Sequence, residues 1–587
     1  VARERMGQAA AITMPIDPRN LNTLWSSVLA ESFVRLGLQT VVICPGSRSA
    51  PLAIAFAEHP EIDAIPILDE RSAGFFALGR AKASHRPVAL ICSSGTAGAN
   101  FYPAVIEAKE SGVPLLVITA DRPPELRQCH AGQAIDQLRL FGSYALWEAE
   151  LALPVLDLGL LRYLRQTAQQ AWQQALRGGP VHLNQPLREP LAPIADPATQ
   201  TWLAQQWPGE NFFAELLTAV PTPQIQQPLP PLPSQGLITV GPIAPEDPAA
   251  FVQAIAQLSA HLGWPVLSDA VTPLRQFADH CPRLISSYDL ILRQPHWRAS
   301  LQPEAVLQIG ELPTSKELRL WLTEQTCPRW IVSPRPENFD PLHGSSHHLP
   351  VTVEAIAIPA TIAPASDYSR QWQQAETAVQ AAIAQHLAQV PDLTEPGIAR
   401  LLSQHLPAQT PIFVANSTPI RDLEWFWLAN DQRRSLYCSR GANGIDGTLS
   451  TAIGIAHQNR PSVLITGDLS LLHDSNGFLQ RSQLQGHLTV VLIDNSGGGI
   501  FELLPIRDCG PSFEPFVATP QTVDFAALCQ AYGVDYQAIA TEAELIKAIQ
   551  TLPTSGIRVL HLFTDRRQNA AWRRALFAEL AAIPSQS

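Results

Sequence analysis

The chain has 587 residues, too many for one hydrophobic core, so two to four domains are expected. Hydrophobic residues make up 46% and charged residues 16%, the balance of a globular protein, and a formal net charge of −12 argues against nucleic acid as the main partner. No run of about 18 or more apolar residues occurs, so no insertion into a membrane is expected; eight scattered cysteines without a Cys-x-x-Cys pair point to reduced thiols in a cytoplasm rather than a disulfide framework.

Residues 1–15 lack an apolar core of signal-peptide type and read as an extension outside the fold. Over 20–36 apolar residues recur at helical spacing, and Gly37 ends the run. Residues 40–44 form a buried strand, and Pro45-Gly46-Ser47-Arg48-Ser49 turns it into the next helix. Ser47 and Arg48 stand where a helix start meets a strand end, a place that suits a carboxylate or phosphate. A capping serine and a solvated arginine fit the same pattern. The next strand, 62–68, runs into Asp69-Glu70. An acid there either caps the following helix or, buried, pairs with a ring nitrogen. Residues 87–92 and 114–119 are further strands, the first followed by Ser93-Ser94-Gly95-Thr96, the second by Ala120-Asp121-Arg122-Pro123-Pro124-Glu125. Repeated strand–turn–helix units predict a parallel, doubly wound sheet, closing near Pro193 after the stretch 181–188.

The Pro-rich stretch 220–233 reads as a semi-rigid linker. Beyond it a second α/β block has strand candidates at 237–240, 266–268, 306–309 and 330–333. It carries no Gly-x-Gly-x-x-Gly, so nothing in it points to FAD or NAD. Lys316 heads a helix after Gly310-Glu311-Leu312-Pro313-Thr314-Ser315, as a functional charge or as a surface lysine. The Gln-rich helix 366–387 opens a third block, with strands at 412–415, 436–438, 463–466, 488–493 and 559–563. Its turns include Asn416-Ser417-Thr418-Pro419-Ile420-Arg421 and Ser439-Arg440-Gly441-Ala442-Asn443-Gly444-Ile445-Asp446-Gly447. The first and third blocks share an order of elements without a convincing sequence repeat. The expected domains are 1–193, 194–365 and 366–587.

Two apolar runs of the third block end in an acid or an amide at a glycine turn. One closes in Gly467-Asp468-Leu469-Ser470, the other in Asp494-Asn495-Ser496-Gly497-Gly498-Gly499-Ile500-Phe501. Asp468 and Asn495 are 27 positions apart, room for strand, helix and strand. Both then sit at carboxyl ends of strands, where open α/β sheets bind ligands. A carboxylate, an amide oxygen and a backbone carbonyl in a glycine turn make the hard-oxygen set that Mg²⁺ prefers, with phosphate oxygens and water completing the octahedron. Glycines let backbone N–H groups approach a diphosphate closely. A strand-end Asp and an unrelated Gly-rich loop would look the same at this level.

Gly467-Asp468 followed by Asn495 resembles the diphosphate-binding motif of thiamine-diphosphate enzymes. The wider set resembles the 2-succinyl-5-enolpyruvyl-6-hydroxy-3-cyclohexene-1-carboxylate synthases, thiamine-diphosphate carboligases of menaquinone and phylloquinone synthesis. It comprises Pro45 to Ser49, Asp69 to Gly74, Ala120 to Leu126, Gln133-Ala134-Ile135, Asn184 to Pro190, Asn416-Ser417, Ser439 to Gly447 and Gly467 to Ser470. The match is thinnest in the middle block, where the neighbourhood of Lys316 carries it. Family members often place an arginine directly after that lysine; here it is Glu317.

The resemblance implies an α/β fold of three doubly wound parallel-sheet domains, for the cofactor pyrimidine, a middle domain, and the diphosphate. It implies thiamine diphosphate with Mg²⁺ or Mn²⁺, the substrates 2-oxoglutarate and isochorismate, and a homo-oligomer, a dimer or dimer of dimers, with the cofactor across a subunit interface. Glu70 would hydrogen-bond the pyrimidine as the catalytic acid–base group, and Ile445 would support the bent cofactor. Ser417, Gly467, Leu469, Ser470 and Ile500 would line the cofactor, with Asp468, Asn495 and the Gly497 carbonyl on the metal. Ser47, Arg48, Arg122, Gln133, Lys316, Ser417, Arg421, Arg440 and Phe501 would meet the substrates, whose carboxylates suit bidentate arginine. Decarboxylation of 2-oxoglutarate and addition of the remaining succinyl unit to isochorismate is the implied reaction. The alternatives are another thiamine-diphosphate decarboxylase or carboligase, and a catalytically inactive binding protein of the same fold; the joint presence of Glu70, Asp468 and Asn495 speaks against the latter.

Overall fold

The computed structural model describes residues 16–216, 226–359, 362–390 and 393–582. The extension 1–15 and the first part of the Pro-rich stretch lie outside the described residues. The chain divides into two compact units, Val1–Pro221 and Thr222–Ser587.

The first unit is built on β1 (Thr40–Ile43), β2 (Asp63–Pro66), β3 (Val88–Cys92), β4 (Leu115–Asp121), β5 (Trp147–Glu150) and β6 (Pro180–Pro186). All pairings are parallel, in the order β2-β1-β3-β4-β6-β5. Side chains alternate across a strand. Val41, Ile43, Ala89, Ile91, Leu116, Ile118, Val181 and Leu183 therefore share one face and join helices Leu21–Leu36 and Leu158–Ala175 in a single core. The first of these helices ends where the glycine was expected: Gly37 adopts φ +114° and its N–H caps Phe33 and Val34.

The second unit holds two six-stranded parallel sheets and a short pair, β7 (Gln227–Pro228) with β14 (Ile356–Ala357). The first sheet contains β8 (Leu237–Val240), β9 (Val266–Ser268), β10 (Leu284–Ile285), β11 (Val306–Ile309), β12 (Arg329–Val332) and β13 (Ser346–Leu349), ordered β10-β9-β8-β11-β12-β13. This is the doubly wound order of dinucleotide-binding folds, here without their glycine fingerprint.

The last sheet contains β15 (Pro411–Val414), β16 (Ser435–Cys438), β17 (Ser462–Gly467), β18 (His487–Asp494), β19 (Asp535–Ile539) and β20 (Gly556–Phe563). Its order, β16-β15-β17-β18-β20-β19, repeats the permutation of the first unit's sheet strand for strand. One continuous core contains Leu237 and Val306 of the earlier sheet, Trp372, Val379 and Ile383 of helix Asp367–Leu387, and Ile412, Val414, Val463, Ile465, Val491 and Ile493 of the last sheet.

Candidate functional site

In the first unit the strand order reverses between β1 and β3, and a switch point opens a crevice beyond the strand ends. The two turns meet there. A Cβ on Gly46 would stand 2.3 Å from the Ser93 Cβ, so only glycine fits. Asp69, not Glu70, caps helix Glu70–Ser84 by accepting the Arg71 N–H at 3.0 Å. Glu70 is half-buried and has no hydrogen-bond partner among the described residues. Its charge reaches the buried thiols of Cys44 and Cys92, whose pKa values are raised by burial first and by neighbouring charge second. A carboxylate kept at a switch point and left without a protein partner is available to a ligand.

Arg48 is buried rather than solvated. It donates to the Leu187 carbonyl at 2.9 Å and pairs with Glu189 at 3.1 Å, while its Nε has no partner. Arg122 donates to Ser94 Oγ at 2.5 Å; burial and then the Arg48 charge lower its pKa. Gln133, at φ +57°, donates to the Ser94 carbonyl at 2.9 Å. Arg122 and Gln133 thus meet at Ser94, with Arg48 close enough to repel Arg122. Ser47 lies exposed in the β1 turn and does not cap the helix, which starts beyond Ser49.

In the second unit Asp468 follows β17 and Asn495 follows β18, neighbouring strands paired from Ser462–Leu488 to Gly467–Ile493. Asp468 is 4% exposed and its Oδ2 accepts the Gly497 N–H at 2.7 Å. Burial, then the Asp494 charge, pushes its carboxyl up to about 6 against the N–H donors of Leu469 and Gly497. Asn495 donates through Nδ2 to Glu395 Oε1 at 2.7 Å, and its Oδ1 is buried without a partner. Gly497 adopts φ +123°, and a Cβ there would meet the Ala518 carbonyl at 2.4 Å, so the turn demands glycine twice over.

Among the described residues no three His, Cys, Asp or Glu side chains converge on a metal position. An all-protein cage is therefore not what this turn offers. It offers an orphaned amide oxygen, a carboxylate whose charge burial opposes, and the Gly497 carbonyl, which among the described residues accepts only the Gly499 N–H at 2.8 Å. Such a set fits a hard divalent cation that arrives with a diphosphate. Around it, Ser470 Oγ donates to Thr448 Oγ1 at 2.8 Å and reaches the Ile445 carbonyl at 3.4 Å. Leu469, Ile445, Ile500 and Phe501 are half-buried.

Helix Thr418–Phe426 leaves from the end of β15 and carries a second group of residues. It starts after Ser417, a non-glycine residue at φ +72°, ψ −129°, the kind of strained backbone that clusters at functional sites. Arg421 returns to the Ser417 carbonyl at 2.6 Å. Arg440 donates to Asn416 Oδ1 at 3.0 Å. Burial takes Arg421 down to about 10, helped by the Arg440 and Arg319 charges.

Arg319, on helix Lys316–Thr323, is a residue that sequence reasoning missed. Its side chain is exposed, but the surrounding protein and then Arg440 lower its pKa. Lys316 and Arg319 are three apart, hence on one helix face. Glu317 faces elsewhere, toward Arg293 at 3.7 Å and Arg298 at 3.8 Å. No ion pair holds Lys316, Arg319, Arg421 or Arg440 among the described residues. A lysine at the first helical position also opposes the helix dipole. Asp269 and Glu311 act on Arg319, and Asp422 on Arg421, only through their charge. Mutually repelling cations with no direct ion pair among the described residues make a place for a carboxylate.

Comparison with known proteins follows the same division. The N-terminal TPP-binding domain model of thiamine pyrophosphate enzymes matches residues 25–140, the middle-domain model 198–414, and the C-terminal TPP-binding domain model 424–561. A 2-succinyl-5-enolpyruvyl-6-hydroxy-3-cyclohexene-1-carboxylate synthase from Trichormus variabilis is 53% identical over 579 residues, 97% of this chain and 99% of its own length. Relatives of the same name from a Nostoc species and a Synechococcus species are 53% and 51% identical, each over 97% of this chain and 99% and 98% of their own. No helix among the described residues is long and apolar enough to cross a membrane.

Proposed function

The chain belongs to the 2-succinyl-5-enolpyruvyl-6-hydroxy-3-cyclohexene-1-carboxylate synthases, and from that premise we propose how its residues divide the work. It is a thiamine-diphosphate enzyme that forms a carbon–carbon bond. Its substrates are 2-oxoglutarate and isochorismate. When bound, thiamine diphosphate supplies the electron sink that lets a 2-oxoacid lose CO₂ and its remaining carbons act as a nucleophile.

Asp468, Asn495 and the Gly497 carbonyl would hold Mg²⁺, or Mn²⁺, together with the diphosphate. The observation that carries this assignment is the buried, unpartnered Oδ1 of Asn495 beside the Asp468–Gly497 hydrogen bond. A buried acceptor without a donor costs about 1–3 kcal/mol, and a cation relieves that cost. Glu70 would share a proton with the pyrimidine ring, since no hydrogen bond among the described residues competes for the carboxylate. Ile445, Leu469, Ser470 and Ile500 would line the bound cofactor and limit water there.

The two cation groups take the substrate carboxylates. Arg48 and Arg122 with Ser47 and Gln133 form one; Lys316, Arg319, Arg421 and Arg440 with Ser417 and Phe501 form the other. Because the pyrimidine group and the metal group lie in different units of the chain, a homodimer or dimer of dimers that shares each cofactor between chains is the proposed assembly, in the cytoplasm. The domain limits 1–193, 194–365 and 366–587 belong to the same proposal.

The test is product mass spectrometry with thiamine diphosphate and Mg²⁺ added. 2-Oxoglutarate plus isochorismate should give the succinyl adduct of the name. Release of CO₂ with only the free aldehyde, and no adduct when isochorismate is present, would move the protein to the decarboxylases.

A further inference from the structure

The Asn495 amide has two ends, and only one of them can serve a cation. Nothing in the amide itself decides which end faces the metal position, since oxygen and NH₂ differ little in size. Glu395 stands behind it. Glu395 is 1% exposed, at the start of helix Glu395–His405, and its Oε1 accepts from Asn495 Nδ2 at 2.7 Å. Its Oε2 accepts from Arg573 Nη2 at 2.6 Å. Arg573, also 1% exposed, reaches across to Asp422, with Nη2 to Oδ2 at 2.6 Å and Nε to Oδ1 at 2.9 Å. The guanidinium is thus clamped between two buried carboxylates.

We propose that Glu395, with Arg573 and Asp422 behind it, is a positioning device that turns the Asn495 amide so that its oxygen faces the metal. The inference rests on the assignment of Asn495 as a metal ligand. A carboxylate paired to a guanidinium is an acceptor only, so the NH₂ end must face Glu395 and the oxygen must face away. Partners behind a metal ligand orient it in this way, and their loss typically costs roughly 10–100-fold in metal affinity. Asp422 extends the device. It lies on the helix that carries Arg421 and begins after Ser417, so the metal ligand and the carboxylate-binding helix lean on the same buried guanidinium.

The experiment measures Mg²⁺ in thiamine-diphosphate binding, by fluorescence titration of the full-length protein without substrate. Glu395→Leu removes the acceptor but leaves Arg573 paired with Asp422, so no charge is stranded. The Mg²⁺ concentration for half-maximal cofactor binding should rise about tenfold or more. Glu395→Gln has one acceptor for two donors, Asn495 Nδ2 and Arg573 Nη2. The charge-assisted arginine bond claims the oxygen, so the NH₂ faces Asn495 and turns its amide. The requirement should rise as in Glu395→Leu although size and shape are kept, while a value within about threefold of wild type would overturn the turning role. Asn495→Ala should raise the requirement at least as far, and adding Glu395→Leu to it should change little more, because both act through one amide.

If Glu395→Leu binds Mg²⁺ like wild type while Asn495→Ala does not, the positioning role is wrong and the ligand assignment stands. If Asn495→Ala itself has no effect, the ligand assignment falls and takes the inference with it. Should Glu395→Leu fail to fold, Glu395→Met, unbranched and of similar length, carries the same expectation.

Discussion

Replacing Asp468 by Asn should leave the cofactor-free protein at least as stable as wild type while weakening its hold on Mg²⁺ and thiamine diphosphate. The Asp468 carboxyl is pushed up to about 6 from an ordinary 3.8, by burial first and the Asp494 charge second. A group whose folded pKa is raised gives stability that is complete below the unfolded value and lost as pH rises through the folded one. The window is therefore about pH 4 to 6, and a shift of about two units corresponds to about 3 kcal/mol. Asparagine keeps an oxygen for the Gly497 N–H and carries no charge, so at about pH 7.5 it should recover a share of that amount. Urea unfolding of both proteins without ligands should give midpoints that coincide near pH 4 and favour the variant at pH 7.5. Adding thiamine diphosphate and Mg²⁺ should reverse the order, because ligand stabilises only the chain that binds it. A cofactor-free variant less stable than wild type by more than about 1 kcal/mol at pH 7.5 would show that the carboxylate is a structural partner of Gly497, its charge already accommodated, and would refute the reasoning.

Glu70→Gln should fold normally and lose turnover on the order of 10²-fold or more, the scale of a positioned acid–base group, at saturating cofactor; turnover like wild type would return Glu70 to the role of a helix-start acid. Mixing that chain with an inactive Asp468→Ala chain under subunit exchange should restore activity, and proven exchange without recovery would sink the shared-site assembly. Arg319→Ala should raise the KM for 2-oxoglutarate about tenfold, the worth of a charge-assisted hydrogen bond, with kcat little changed, and a KM equal to wild type removes Arg319 from the clamp. His182, 2% exposed, is held down to about 4 by burial; a depressed pKa means stability present above about 6.5 and lost as pH falls through 4, about 3 kcal/mol. His182→Asn should flatten the acid limb of urea midpoints between pH 4 and 7, and an unchanged slope counts against the assignment.

The central strands were legible because they are buried on both faces and read as continuous apolar runs between glycine and proline turns. Of the six edge strands in the six-stranded sheets, those at 62–68 and 436–438 were read and four were not. Trp147–Glu150, Leu284–Ile285, Ser346–Leu349 and Asp535–Ile539 all lie at sheet margins. They are short or carry polar and charged residues, as edges must if they are to resist pairing with another chain. The site divided along similar lines. Glycine turns, strand-end acids and arginines beside them could be picked out locally. Which of Asp69 and Glu70 caps the helix could not, because both fit the spacing and only the backbone decides. Nothing in its local sequence sets Arg319 apart from other helix-surface arginines. Glu395 stands in a first helical turn, where an acid needs no reason beyond the helix dipole; its partner Arg573 is 178 positions away, and no local pattern foretells that meeting. The shared order of elements in the first and third blocks was legible, but the strand permutation of their sheets was not, since topology follows the pattern of burial and leaves residue identity free.

Helix Thr418–Phe426 shows why so many of the unforeseen residues are buried charges. Asp422 pairs with Arg573. Two residues on, Glu424 is 2% exposed and pairs with Arg275 at 2.8 Å, while its other oxygen accepts the Ala270 N–H at 2.7 Å. The Trp425 indole donates at 2.9 Å to Asp289, which also accepts from Ser315, the cap of the helix bearing Lys316 and Arg319. Buried ion pairs are weak sources of net stability, because desolvation offsets most of the attraction, but removing one partner is costly. Here they do something apolar packing cannot. Each fixes a rotation of the helix about its axis, and together they hold Ser417 in a conformation that costs about 1–3 kcal/mol on its own. Apolar side chains of similar volume would let the helix slip by a fraction of a turn at little cost, and Arg421 would then leave Arg440 and Arg319. The expense of burying these charges is therefore best understood as what keeps a strained strand end, a metal ligand and a carboxylate clamp in one register.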